Sequence, residues 1–189
     1  MKQIFIWLLG VLVPVLGLAQ EQMSPEEKAK VILDKVKEKY KSYNTIEVDF
    51  NFILENRKKE EFKEVREGEA KLKGKKFRIN IGKHLIICDN KNVWTYMKNV
   101  KEVQINNYEP DKMKINPSEM FTIYQKGYLY GYKGKVKQNG DYYYNIELTP
   151  ENKDKSYYKI RLYVDPDSYR VMQTRVFEKD GSIYTYKFN

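Results

Sequence analysis

The sequence predicts a mainly β fold: about ten antiparallel strands in up-and-down order, with one long helix ahead of them and one excursion among them. Three observations predict it. Apolar and polar residues alternate in run after run from Ile46 to the C-terminus. Turn chemistry punctuates the runs at Gly74-Lys75, Asp89-Asn90-Lys91, Asn139-Gly140 and Asp180-Gly181. Tyrosine is abundant, at 17 copies, and an aromatic ring suits a pleated face while its hydroxyl stays wet.

The first segment stands outside that fold. Lys2 supplies a positive start, "IFIWLLGVLVPVLGLA" an apolar stretch, and Gly17 and Ala19 the small residues of a cleavage site before Gln20. The apolar run, Ile4 to Ala19, contains Pro14 and falls short of the ~20 residues of a spanning helix. The expectation is a signal peptide over 1–19, a single exported domain over 20–189, and no lipid anchor, because no Cys follows the small residues.

"SPEEKAKVILDKVKEKYKSY" reads as one helix. Ser24 is the N-cap, Pro25 suits the first helical position and Glu27 completes a capping box. Ala29, Ile32, Leu33, Val36, Tyr40 and Tyr43 form one apolar face at steps of three and four, which we expect to pack on a sheet. After Asn44 the period changes to two. "TIEVDFNFILE" puts Ile46, Val48, Phe50, Phe52 and Leu54 on one face. A charged loop is expected from Asn56 to Glu61, and the return strand puts Gly68, Ala70 and Leu72 inward. "KFRINI" adds Phe77, Ile79 and Ile81. "LIICD" and "VWTYM" carry apolar residues on both faces, so this hairpin is expected to be covered on two sides. "VKEVQI" follows as a further short strand.

From Asn106 to Gly127 the alternation stops, and "NPSEMFTIY" suggests a short helix beginning near Pro117. So long an excursion within a regular sheet points to function, and a Met- and Phe-bearing segment is what a lid over an apolar space requires. The remaining runs are hairpins: Tyr142, Tyr144, Ile146 and Leu148 share a face, as do Tyr158, Ile160, Leu162 and Val164.

The formal charge is +9, or +8 without Lys2. Positive charge can serve nucleic acid, anionic membranes or acidic partners. Export argues against nucleic acid, and stretches such as "RKKEEFKEVREGE" mix both signs as a solvated surface does. Cys88 has no partner for an intramolecular disulfide and no CxxC or Cys/His metal spacing beside it. Beside Ile86 and Ile87 it reads as a small buried side chain. His84 shares its face but lies ~13 Å away at ~3.3 Å per residue. One His, one Cys and scattered Ser form no nucleophile–base–orienter set, and phosphate and calcium loops are absent, so no enzyme and no cofactor are expected. What remains is a large twisted sheet that one helix, ~30 Å long at 1.5 Å per residue, covers only in part. The space between is either an apolar cavity or a filled core.

An amphipathic helix running into "TIEVDFNF", then "LKGKKFRI", the hairpin "IICDNKNVWTY" and "NPSEMFTIY", in that order, resembles the LolA family of periplasmic lipoprotein carriers. In the hairpin the family's strand, Asp-Gly-Lys, apolar residue, Trp and aromatic correspond to Asp89, Asn90, Lys91, Val93, Trp94 and Tyr96. The resemblance implies an unclosed antiparallel β-barrel, a half-barrel of ten to eleven strands, with helices as a lid over a hydrophobic cavity. It also implies cargo in the form of acylated lipoproteins, an inner-membrane releasing ABC transporter as donor, an outer-membrane acceptor whose identity does not carry over, and a monomer. Strand parity and the excursion nominate Val48, Phe50, Phe52, Leu72, Phe77, Ile79, Trp94, Tyr96, Met120 and Phe121 for the cavity. The family's latch arginine before a proline is missing: Lys73-Gly74-Lys75 stands there, so the latch is absent or supplied elsewhere, with Arg66 and Arg78 as candidates. Three alternatives stay open: a regulatory sensor of the same fold, a general lipid-binding protein of the envelope, and a sheet with a filled core that binds anionic surfaces.

Overall fold

The structure, a computed structural model, describes residues 23–110 and 127–189. The expected signal peptide over 1–19, and with it the expected cleavage before Gln20, lies outside the described residues. So does the expected short helix with Met120 and Phe121.

Helix α1 (Pro25–Lys41) begins as its sequence dictates. The Ser24 amide donates to the Glu27 carboxylate (2.8 Å) and the Glu27 amide to Ser24 Oγ (3.2 Å), so two of the helix's orphan donors are satisfied reciprocally. Those bonds hold the Glu27 carboxyl below its usual range. Acids in the first turn and lysines in the last complement the helix dipole. Ala29, Ile32, Leu33 and Val36 are buried, whereas Tyr43 at the end of the stripe is exposed.

Eleven strands follow: β1 (Ile46–Asn56), β2 (Lys59–Lys73), β3 (Lys76–Ile81), β4 (His84–Cys88), β5 (Asn92–Met97), β6 (Glu102–Asn107), β7 (Tyr128–Gln138), β8 (Asp141–Pro150), β9 (Tyr157–Val164), β10 (Val171–Glu178) and β11 (Ser182–Phe188). They form one antiparallel sheet in the order β6-β5-β4-β3-β2-β1-β11-β10-β9-β8-β7. Each strand pairs with its sequence neighbour except β6 with β7. β1 pairs with β11, from Phe50↔Phe188 to Asn56↔Ser182, and β6 and β7 are the two free edges. The excursion after Asn106 therefore connects the two open edges, which no hairpin could do.

Turn residues fit their geometry. Asn139 and Gly140 both have positive φ (53° and 100°), as a two-residue hairpin of the twist-matching kind requires. Two expectations need correction. The charged loop from Asn56 to Glu61 shrinks to Arg57-Lys58, because β2 starts at Lys59. Its outer reach keeps pairing with β1 although Phe62 and Val65 there are exposed. In β9, Tyr157 rather than Tyr158 is buried. The β9–β10 register shifts between Phe177 and Glu178, and that bulge reverses the parity counted from Ile160.

The core follows cross-strand rows. Leu54, Tyr184, Val176, Ile160, Leu148 and Tyr130 form one row across β1-β11-β10-β9-β8-β7. Phe52, Tyr186, Thr174, Leu162, Ile146 and Tyr132 form the next. Helix α1 packs on the β7 side of this half. Lys28 lies 4.5 Å above the Tyr132 ring and Lys35 4.7 Å above Tyr169, and the Tyr40 hydroxyl accepts the Val171 amide at 3.1 Å. Lysine stems thus drape over aromatic rims while the apolar stripe seats inside.

Phe50 lies across Gly68, its cross-strand partner: a Cβ on Gly68 would sit 2.5 Å from Phe50 Cζ. Gly68→Ala is expected to destabilise the protein by about 1–3 kcal/mol through overpacking. Adding Phe50→Leu should recover part of that loss. Urea unfolding of the two variants measures both effects, and an unchanged midpoint for Gly68→Ala would show that the ring has somewhere else to go.

Candidate functional site

Beyond β11 the inner rows continue through β1 to the other edge. Ile46, Leu72, Phe77, Cys88, Val93 and Asn106 form one; Val48, Ala70, Ile79, Ile86, Thr95 and Gln104 the next; Phe50, Gly68, Ile81, His84, Met97 and Glu102 the third. Leu72, Phe77, Phe50 and Cys88 are buried, whereas Val48, Phe52, Ile79, Ile81, Ile86 and Val93 are only half-buried and adjoin the core. The chief seat of α1 is on β7, at the far side of the sheet, so this half of the apolar face is not occupied by that helix's stripe. A cleft of about 190 Å³ at its end, lined by Tyr40, Tyr43, Ile46, Val48, Val171 and Phe188 among others, falls short of the ~300 Å³ at which ligand pockets begin.

The nominated residues divide. Val48, Phe50, Phe52, Leu72, Phe77 and Ile79 share the inner face. Trp94 and Tyr96 do not. Trp94 pairs with Ile87 and Ile105, and Tyr96 with Leu85 and Val103, on the opposite side from Phe77 and Ile79. Parity within one strand could not reveal this, because "VWTYM" is apolar at almost every position and either register buries something. The residues missed in that region are Ile86 and Val93, legible only through the ladder to Phe77 and Ile79. The expectation that this hairpin is covered on both sides fails too: Ile87 is 37% exposed and all of β6 is exposed.

Of the two candidate arginines, Arg78 points to the outer side, opposite Lys71 and Ile87. Arg66 pairs with Phe52 on the inner side, with its guanidinium 5.9 Å from that ring and bonded to the Glu64 carboxylate at 2.6 Å. Gly74, where the family places an arginine, has φ +56° at the tip of the β2–β3 turn.

Burial pushes the Cys88 thiol up, away from the reactive thiolate, and its sulfur accepts the Asn90 amide at 3.4 Å. Among the described residues no group of three His, Cys, Asp or Glu could hold a metal ion. The tyrosines are buffered the same way: burial raises Tyr40 and Tyr186 to about 12.

Residues 23–189 match the family described as outer membrane lipoprotein carrier protein LolA. The chain belongs to that family. Its members are binding and carrier proteins with an open barrel. Among solved structures, an uncharacterized conserved protein from Thermus thermophilus aligns over 86% of each chain at 13% identity and TM-score 0.51. A DUF1329 family protein from Desulfovibrio piger aligns over 88% of this chain and 92% of its own at 11% identity and TM-score 0.50. A LolA superfamily protein from Nitrosomonas europaea covers 89% and 92% at 13% identity and TM-score 0.43. At such identities the likeness to solved structures is one of fold. No curated protein matches the chain.

The raised phenols give this LolA-family chain a defined alkaline limit. An unfolded tyrosine ionises near pH 10, and the folded ones hold their protons to about 12. Stability present below pH 10 therefore falls as pH rises from about 10 to about 12, by up to ~1.4 kcal/mol per pH unit for each phenol. Urea unfolding at stepped pH should show the decline, and Tyr40→Phe should flatten part of it. A constant midpoint across that window would contradict the assignment.

Proposed function

We propose that this protein is a periplasmic carrier that holds the acyl chains of lipoproteins on the inner face of its half-barrel between the inner and outer membranes. The observation that carries this reading is the set of half-buried apolar residues Val48, Phe52, Ile79, Ile81, Ile86 and Val93 on the inner face of β1 to β5, lying beyond the seat of α1. Family membership over 23–189 supports it. Each methylene taken from water gains ~0.8 kcal/mol, so acyl chains cannot cross an aqueous space unshielded. Release must also be possible. Partly covered aromatic and branched side chains, together with an open edge on each side, suit reversible binding better than a closed pocket does.

On this reading residues 1–19 are removed as a signal peptide, the donor is an inner-membrane releasing ABC transporter, the carrier acts as a monomer, and no catalysis is involved. Arg66 with Glu64 stands at the inner face beside Phe52, where it can contact whatever covers the cargo.

Phe50 is a poor place to test the site, being buried against Gly68, so a charge there would unfold the chain rather than empty it. Ile79 and Ile86 are half-buried and directly paired. Ile79→Glu with Ile86→Glu should leave an exported, folded protein that no longer releases lipoproteins from spheroplasts and no longer carries lipid through purification, as judged by mass spectrometry. Full release activity in that variant would place the cargo elsewhere, and a parent protein that neither carries lipid nor releases lipoprotein would end the carrier reading.

A further inference from the structure

The sidedness of the sheet reverses at its β6 edge. From β1 to β3 the rows Ile46-Leu72-Phe77, Val48-Ala70-Ile79 and Phe50-Gly68-Ile81 point inward, and β4 and β5 carry apolar residues on both faces. In β6 the inward residues are Glu102, Gln104 and Asn106, while Val103 and Ile105 point outward and are 56% and 62% exposed. With Leu85 and Ile87 from β4 and Trp94 and Tyr96 from β5 they form one continuous outer patch, each residue a direct cross-strand partner of the next. A solvated strand would place its polar residues outward, so this arrangement calls for an apolar neighbour outside the sheet.

Charge says which neighbour. Between Lys71 and Asn107 stand nine Lys or Arg and two acids, Asp89 and Glu102, a formal +7 out of the chain's +9. The lysines gather at both ends of the patch. Lys83 and Lys98 lie together at one end, where the Lys98 amide donates to the Lys83 carbonyl at 2.9 Å, with Lys101 in the same β5–β6 turn. Lys75 and Lys91 occupy the turns at the other end. Among the described residues none of these five is in an ion pair. On the outer face of β8–β10, by contrast, Glu147 binds Arg161 and Lys159, and Arg175 lies 3.5 Å from Glu55 of β1. The positive field is therefore concentrated around the apolar patch.

We infer that the outer face of β4, β5 and β6 docks on an anionic lipid bilayer. Trp94 and Tyr96 would sit at the headgroup level with Ile87, Val103 and Ile105 beneath, and the flanking lysines would meet lipid phosphates. A second copy of the chain fits less well, since pairing through β6 would bring two +7 segments face to face. Docking by this face leaves the inner rows on the opposite side of the sheet from the contact, so it does not depend on the carrier reading.

The test uses purified protein spanning residues 20–189, in which Trp94 is the only tryptophan. With vesicles of phosphatidylglycerol and phosphatidylethanolamine, the protein should co-sediment and its Trp94 emission should shift to the blue. Both effects should weaken with added salt and be far smaller with phosphatidylcholine alone. Ile87→Asp with Ile105→Asp, both at exposed positions, should lower binding at least tenfold. Lys83→Gln and Lys98→Gln should each lower it roughly fivefold, as expected for ~1 kcal/mol per lysine at an anionic surface. Ile79→Glu, on the inner face, should bind vesicles like the parent, which separates this proposal from the carrier one. Absence of binding at low salt, binding without a Trp94 shift, or undiminished binding by the double aspartate variant would overturn the inference. So would self-association, or capture of an acidic protein, that the aspartates abolish while vesicles are not bound.

Discussion

The antiparallel pairing of β1 with β11 is the constraint on which the rest depends. It joins the beginning of the sheet to its end, so the chain's ordinary up-and-down order is cut at one point only, between β6 and β7. A sheet of eleven strands has to place its free edges somewhere, and here they fall on either side of the one segment without alternation. The backbone hydrogen bonds of β1–β11 thereby decide where the barrel is open.

From that seam the two halves diverge. On the β7–β11 side the inner rows close on α1, whose Ala29, Ile32, Leu33 and Val36 fill them; Ile146, Leu148, Leu162 and Val164 are almost fully buried as a result. On the β1–β5 side Val48, Phe52, Ile79, Ile81, Ile86 and Val93 remain half-buried beside the buried Phe50, Leu72, Phe77 and Cys88. One helix can serve only one half of so wide a face. Among the described residues that half of the face is covered incompletely, and the proposed carrier function rests on this feature. The outer surface divides at the same place. Carboxylates and cations pair with each other over β8–β10, whereas over β4–β6 apolar side chains and lysines stand without such pairing.

Much was legible in the residues because it rests on short-range physics. The capping box at Ser24, the helix stripe, the parity of β1 to β3 and the Asn139-Gly140 turn each depend on neighbours a few positions away, and each appears as read. The readings that failed depend on contacts between strands. Tyr157 replaced Tyr158 inside because a bulge against β10 shifted the count. Trp94 and Tyr96, which carried the family resemblance, belong to the outer face because the β4–β5 ladder aligns them with Leu85 and Ile87 rather than with Ile86 and Cys88.

By itself, then, the sequence determined the types of the described elements, the inward set from Ile46 to Ile81 and the burial of Cys88, all of which follow from periodicity, turn chemistry or local composition, while its ordered motifs carried the resemblance to the family. Only the tertiary structure decided which face the β4–β6 residues occupy and where the sheet opens. The physical reason is the two-residue period of a strand. Where both parities are apolar, as in "LIICD" and "VWTYM", one-dimensional alternation carries no sign, and the sign is supplied by hydrogen-bond register with a neighbouring strand.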